Sequence, residues 1–231
     1  MDNGYLKKRD KSIDCMKGIG IILVILGHIN FANYEIKPWI YSFHMPLFFF
    51  ATGLTFKSDP IKNIDDLKKY ILKKGKCLII PYILWGLIFC EFSWNNMLLV
   101  LYGSYYSIKL SGSLSSLWFL PVLFLASIRF YIVYSWAYRF KRYQIVLVGI
   151  TVIAFIIGKI CPYFDKGYPF CTNISFVALG FLILGFLIKY IEIPQKRVSN
   201  IAILLIISFI IVFLYLFNLL NFPILPKGWN A

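Results

Sequence analysis

Lys17 and His28 are the first residues along this chain whose types and spacing suit chemistry. They stand eleven residues apart within an apolar stretch. On a helix, eleven steps of about 100° complete three turns plus about 20°, so both side chains project from one face, about 16 Å apart along the axis. Asp14, three residues before Lys17, faces roughly the same way. Gly18, Gly20 and Gly27 leave room for a second helix to approach closely. That second helix carries His44, the other of the two histidines in the chain. The connection between the runs is short, so antiparallel neighbours are expected, with His28 and His44 at similar depth. Two imidazoles in one layer can take and give protons near neutral pH, as a general base on a hydroxyl does, or as a relay in a proton-coupled transporter does. Arg129 lies inside a later apolar run and cannot shed its charge. It is expected at the depth of Lys17, where two cations would suit a phosphate-bearing ligand. Plainer roles stand beside each of these. Lys17 can snorkel to head groups, Arg129 can do the same or pair with a backbone carbonyl, and His28 can bond a neighbouring backbone group. Trp118-Phe119-Leu120-Pro121 reads adequately as a helix start with an anchoring Trp. Two histidines and scattered cysteines give no metal-ligand spacing, so no metal is expected, and no Gly-rich nucleotide loop occurs.

The elements that must carry these groups are apolar. Of the 231 residues, 60% are hydrophobic and 15% charged, against about 25% charged in an ordinary soluble domain. The mean hydropathy is +0.74. A helix needs about 20 apolar residues to cross a bilayer. Seven runs approach that length: Met16–Tyr34, Trp39–Phe56, Cys77–Ser93, Ser115–Ala137, Tyr143–Ile160, Ile174–Ile191 and Asn200–Leu220. The expected fold is an all-α polytopic transmembrane bundle of about seven helices, forming a single domain over residues 1–231. The linker Lys57–Lys76 is Lys-rich, with Ile61, Ile64, Leu67, Tyr70 and Ile71 spaced for an amphipathic helix on the membrane surface. Met97–Ile108 is too short to span and is expected in the opposite interface. No cleavable signal peptide is expected, because residues 1–17 are polar and no small-residue cleavage site follows the first run.

Lys and Arg set the orientation. Seventeen fall in the N-terminal segment and the even-numbered linkers, five on the other side. The positive-inside rule puts the richer side, with the N-terminus, in the cytoplasm. The net charge of +14 therefore reflects topology and anionic lipid, and nucleic acid is not an expected partner. Cys161 and Cys171 flank one short loop and would pair only in an oxidising compartment.

With these residues assembled, a resemblance emerges. Ser12-Ile13-Asp14-Cys15-Met16-Lys17-Gly18-Ile19-Gly20 followed by Gly27-His28 resembles the first helix of the acyltransferase 3 family, in particular its fucose 4-O-acetylase-like branch. Phe43-His44-Met45-Pro46-Leu47-Phe48-Phe49-Phe50 with Thr52-Gly53 is similar to the family's second helix, Leu78-Ile79-Ile80-Pro81-Tyr82 to the start of its third, and Leu117-Trp118-Phe119-Leu120-Pro121 to its Trp-Phe-Leu-Pro run. These motifs cover about the first 125 residues. The resemblance implies a multi-pass cell-membrane O-acyltransferase. Such a protein moves an acetyl or other acyl group from cytoplasmic acyl-coenzyme A, a donor substrate and not a resident cofactor, to a hydroxyl of a cell-surface or lipid-linked carbohydrate. The family's basic residue, ten intervening residues and His fall here on Lys17 and His28. The resemblance implies His28 as general base, with His44 supporting it, Lys17 and Arg129 on the donor's phosphates, and Asp14 and Trp118 in support. The family's fold commonly has about ten helices, so a chain of about seven lacks the last ones. A proton-coupled transporter and an inactive short acyltransferase are the alternatives.

Overall fold

The computed structural model describes residues 11–28, 36–89, 94–104, 115–161 and 167–189. Among these residues every regular element is helical. In chain order they are α1 (Lys11–His28), α2 (Ile36–Leu54), α3 (Ile64–Phe89), α4 (Trp94–Tyr102), a 3-10 turn at Ser115–Trp118 running into α5 (Phe119–Ala137), α6 (Tyr143–Ile160), and a second 3-10 turn at Pro169–Cys171 running into α7 (Thr172–Ile188). The expected run Asn200–Leu220 lies outside the described residues.

Neighbouring helices alternate in direction, as short connections between long rods require. α1 runs antiparallel to α2, with Gly20 against the Phe48 ring. α3 runs antiparallel to α5. Tyr70 meets Tyr131 at a ring-centroid distance of 4.4 Å, and Gly75, further along α3, faces Phe124, earlier in α5. α6 and α7 are antiparallel too, with Gly158 against Val177 and Phe155 against Phe181. α2, α5 and α7 therefore point the same way and form the centre. Phe56, just beyond α2, packs edge-on against Phe130 and Tyr134 of α5 and Phe186 of α7, at 4.8, 5.3 and 5.9 Å. The core is aromatic at this end, which also carries Lys189, the α2–α3 connection and the α5–α6 turn. It is called the lysine-rich end below.

Among the described residues two helices, of the seven spans expected, are long and apolar enough to cross a membrane: Phe119–Ala137 and the segment Pro169–Ile188. His44–Leu54 and Tyr143–Gly158 are apolar but shorter. The amphipathic linker departs from expectation. It is not a separate surface helix, because Ile64–Lys76 forms the first half of the 26-residue α3. Its apolar residues Ile61, Leu67 and Tyr70 pack on the protein core. The helix starts where the sequence supplies a reciprocal cap. Asn63 Oδ1 accepts the Asp66 N–H at 2.9 Å, and Asp66 Oδ2 accepts the Asn63 N–H at 3.3 Å. The run Met97–Ile108 overlaps a short helix, α4, which spans Trp94–Tyr102; residues 105–108 of the run lie outside the described residues.

The closest approach in the bundle is between α2 and α7. A Cβ on Gly53 would fall on the Leu182 carbonyl, and one on Gly185 would fall on the Phe50 carbonyl. Each helix thus presents a bare backbone strip to the other. Gly53→Ala and Gly185→Ala should each cost about 1–3 kcal/mol through forced separation of the two helices. Gly149→Ala, where a Cβ meets nothing within 4 Å, should leave stability unchanged or slightly raised. Thermal unfolding of the full chain in detergent checks the ordering.

Candidate functional site

α1 ends at His28, and α2 passes it in the opposite direction with His44. His44 is 2% exposed, and its Nδ1 lies 2.6 Å from the Ile40 carbonyl one turn earlier. That bond requires a proton on Nδ1, so Nε2 is the ring atom left to accept. His28 is exposed; with Gly20 against Phe48 it is level with Ile40, one turn from His44 on α2. The two histidines thus lie within about a turn of one layer, one with a fixed ring and one at a helix end. Pro46, two residues after His44, is buried and cannot donate to the carbonyl four residues back, which loosens the α2 ladder beside the imidazole.

Lys17 sits on the same helix as His28 but towards the lysine-rich end, half-buried. It is three residues before Gly20, which meets Phe48, so it is level with Thr52, one turn past Phe48 on α2. Asp14, in the first turn of α1, is also half-buried, at a helix N-terminus that favours a carboxylate.

Arg129 corrects the sequence expectation. Its guanidinium does not share a layer with Lys17. Nη1 donates to the Thr172 carbonyl at 3.1 Å and to the Ser175 hydroxyl, and the guanidinium carbon lies 4.0 Å from the centre of the Phe176 ring. Thr172 begins α7, and α7 ends near Lys189 at the lysine-rich end, so the guanidinium is held at the opposite end. The cause is side-chain direction. A helical side chain leans towards its own N-terminus, and α5 starts at the end where α7 starts. Trp118 also differs from an interface anchor. It is 8% exposed and belongs to the core, whereas Trp94 is 76% exposed, as a belt residue should be. Cys161 and Cys171 are both free thiols, and Cys171 is buried with its Sγ 3.4 Å from the Gly103 carbonyl.

A feature that sequence reasoning missed lies at the lysine-rich end. The α2–α3 connection folds back against α3 and borders an open groove of about 560 Å³. Lys57, Lys62, Lys69, Lys73 and Lys74 line it, and Thr52, Thr55 and Tyr70 supply hydroxyls. Lys74 is the half-buried member, with its Nζ 5.7 Å from the Tyr70 ring centre. Burial, with Lys73 alongside, holds its ammonium below the usual lysine range, partly offset by Cys77. Burial and the neighbouring Tyr131 push the Tyr70 phenol up. The signal was present in the sequence: Lys69 and Lys73 stand one helical turn apart, but the lysines of this linker were expected to set topology and to meet lipid head groups. Among the described residues no group of His, Cys, Asp and Glu could hold a metal ion.

Residues 10–230 match the model of an acyltransferase family, described as "Acyltransferase domain". Among curated proteins, Nodulation protein NolL of Sinorhizobium fredii (strain NBRC 101917 / NGR234) is 34% identical over 92 residues, a match covering 33% of this chain and 23% of that protein. The matched part is thus less than a quarter of that relative's length. No solved structure matches the chain.

The Arg129 contact yields a stability prediction. Hydrogen bonds to a charged group contribute about 1.5–3 kcal/mol. Arg129→Ala should lower stability by about that amount, and Arg129→Lys should recover only part of it, because Lys loses the planar fork. Both are read as shifts in thermal unfolding in detergent.

Proposed function

The chain belongs to the acyltransferase 3 family, and from that membership we propose a membrane-bound O-acyltransferase that moves an acetyl or other acyl group from acyl-coenzyme A to a carbohydrate hydroxyl. The observation that carries the reading is the His28–His44 pair, set about one turn apart on two packed helices by the Gly20–Phe48 contact, with the His44 ring fixed through Nδ1. His28, exposed at the end of α1, is the general base that takes the acceptor's hydroxyl proton. The alkoxide oxygen attacks the thioester carbonyl, the carbon–sulfur bond breaks, and the thiolate of coenzyme A takes up a proton. His44, buried and oriented by the Ile40 carbonyl, polarises or positions the thioester through Nε2. Lys17, on the same helix as His28, attracts the anionic donor towards this line.

The bundle is proposed to cross the cell membrane several times, with the lysine-rich end and the N-terminus cytoplasmic. Two of its helices meet both length and hydropathy for crossing, and members of the family are membrane proteins. At 26 residues, α3 is about 39 Å long, about 9 Å more than a hydrocarbon core of about 30 Å, which leaves its lysine-bearing start at the membrane surface. The donor then arrives from the cytoplasm and the carbohydrate acceptor from the other side, with the histidines between.

Radiolabelled acetyl-coenzyme A given to vesicles containing the full chain tests this. Label should enter the carbohydrate fraction with the wild type. His28→Ala should lose about 10²-fold or more in rate while the protein still inserts. Undiminished incorporation by His28→Ala would remove the histidine from the mechanism.

A further inference from the structure

We infer that the turn between α5 and α6 is a docking site for an anionic phospholipid, with Arg139, Lys141 and Arg142 on its phosphate and the exposed side of α5 along its acyl chains. The inference goes beyond acyl transfer and rests only on the placement of the bundle in the membrane proposed above. Charge is the first argument. Residues 138–142 join Ala137 of α5 to Tyr143 of α6, and three of these five are cations. All three are exposed. Among the described residues none of the three side chains has a carboxylate or hydrogen-bond partner, and the first turn of α6 holds no acidic residue. Two of them are arginines, of five in the whole chain, whereas the cations of the α2–α3 linker are all lysines. A guanidinium offers phosphate a planar fork that an ammonium lacks. The turn also has a fixed backbone: the Phe140 N–H donates to the Ala137 carbonyl at 2.9 Å, and the Tyr143 N–H to the Phe140 carbonyl at 3.1 Å.

The apolar surroundings are the second argument. Trp136, Tyr138 and Phe140 are 50%, 52% and 46% exposed, so three aromatic side chains face outwards among the cations. The Trp136 and Phe140 rings meet edge-on at 5.0 Å, and the Tyr138 ring lies 5.4 Å from that of Tyr143. Ile132, one turn before Trp136 on α5, is exposed too, as are Ile145 and Val148 of α6. Apolar side chains therefore flank the turn on both helices, with aromatics at the boundary where Trp and Tyr favour the membrane interface. α5 is long and apolar enough to cross, and five connecting residues cannot carry the cations far from its end. With α5 across the bilayer, they stand at the depth of the head-group phosphates. An acidic protein or a nucleic acid would match the cations and leave the apolar strip uncovered. A phospholipid matches both. The site is also distinct from the α2–α3 groove, which meets α5 at Tyr131. Ile132 and Trp136 stand about 100° and about 140° around the helix from that residue.

The test measures lipid retention, not transfer. The full chain in an uncharged detergent is given equal amounts of phosphatidylglycerol and phosphatidylcholine with matched acyl chains, and bound lipid is counted by native mass spectrometry. Wild type should retain phosphatidylglycerol over phosphatidylcholine by about tenfold or more. Each cation near an anionic surface changes binding about fivefold, so Arg139→Gln/Lys141→Gln/Arg142→Gln should erase that preference. Lys57→Gln/Lys62→Gln/Lys69→Gln, in the groove, should keep it. The turn positions are exposed, so the turn variant should unfold in lipid-free detergent at the wild-type temperature. Should it not, Arg139→Gln and Arg142→Gln alone carry the same readout, each with a loss of about fivefold. A turn variant that prefers phosphatidylglycerol as the wild type does overturns the inference, and so does a wild type without the preference. Loss in the groove variant in place of the turn variant moves the lipid to the groove and overturns it equally. A full chain that stays in solution without detergent or lipid defeats the membrane placement and the inference with it, an outcome separate from the acetyl-transfer result.

Discussion

Gly53 of α2 and Gly185 of α7 let two backbones touch, and much of the architecture depends on that contact. With α7 pressed against it, α2 becomes the rod that carries both ends of the candidate site: His44 at one end, Thr52 and Thr55 on the groove wall at the other. The aromatic cluster around Phe56 then locks the end of the rod against α5 and α7. A Cβ at either glycine would separate the helices and shift the depth of the imidazole relative to the lysines. The glycines therefore act on function through distance, not through contact with any ligand.

Charge is distributed around this rod in two separate places. Lysines gather where α2 returns into α3, and the Arg129 guanidinium sits at the far end of α7. The physical reasons differ. Arg129 hydrogen-bonds a carbonyl and a hydroxyl of α7 and stacks on Phe176, an arrangement that meets the demands of a partly buried cation and joins α5 to α7. A cation satisfied in this way is mechanical. Four of the groove lysines have no such satisfaction among the described residues.

Much of this was legible in the sequence, and the failures have physical causes. The short connection between the first two apolar runs was enough to place α1 antiparallel to α2. The apolar runs marked most helices because a long apolar stretch satisfies its backbone internally as a helix. Arg129 was misplaced because sequence locates a Cα, whereas its guanidinium lies a side-chain length nearer the start of α5 and binds residues 43 and 46 positions away. The linker helix was read as lying on lipid because amphipathic spacing reports that an apolar face is covered, not by what. Here Tyr131 and Phe56 cover it. Trp118 was taken for a helix-start anchor on the same incomplete information, and burial shows it in the core.

The groove adds a reason for the shape of α3. Lysines at the start of a crossing helix can set its orientation from a flexible linker as well as from a helix. Continuous helix from Ile64 to Phe89 instead makes the orientation of Lys69, Lys73 and Lys74 rigid with respect to the buried half that packs on α5. Tyr70 contributes from both sides: its ring packs on Tyr131 while it also lines the groove. The cap, the ring contact and the helix together hold the lysine face at a fixed distance from α2. On a flexible linker the same lysines would give general attraction to anions. Held on a rigid helix opposite Thr52 and Thr55, they form one basic face at a fixed depth along α2.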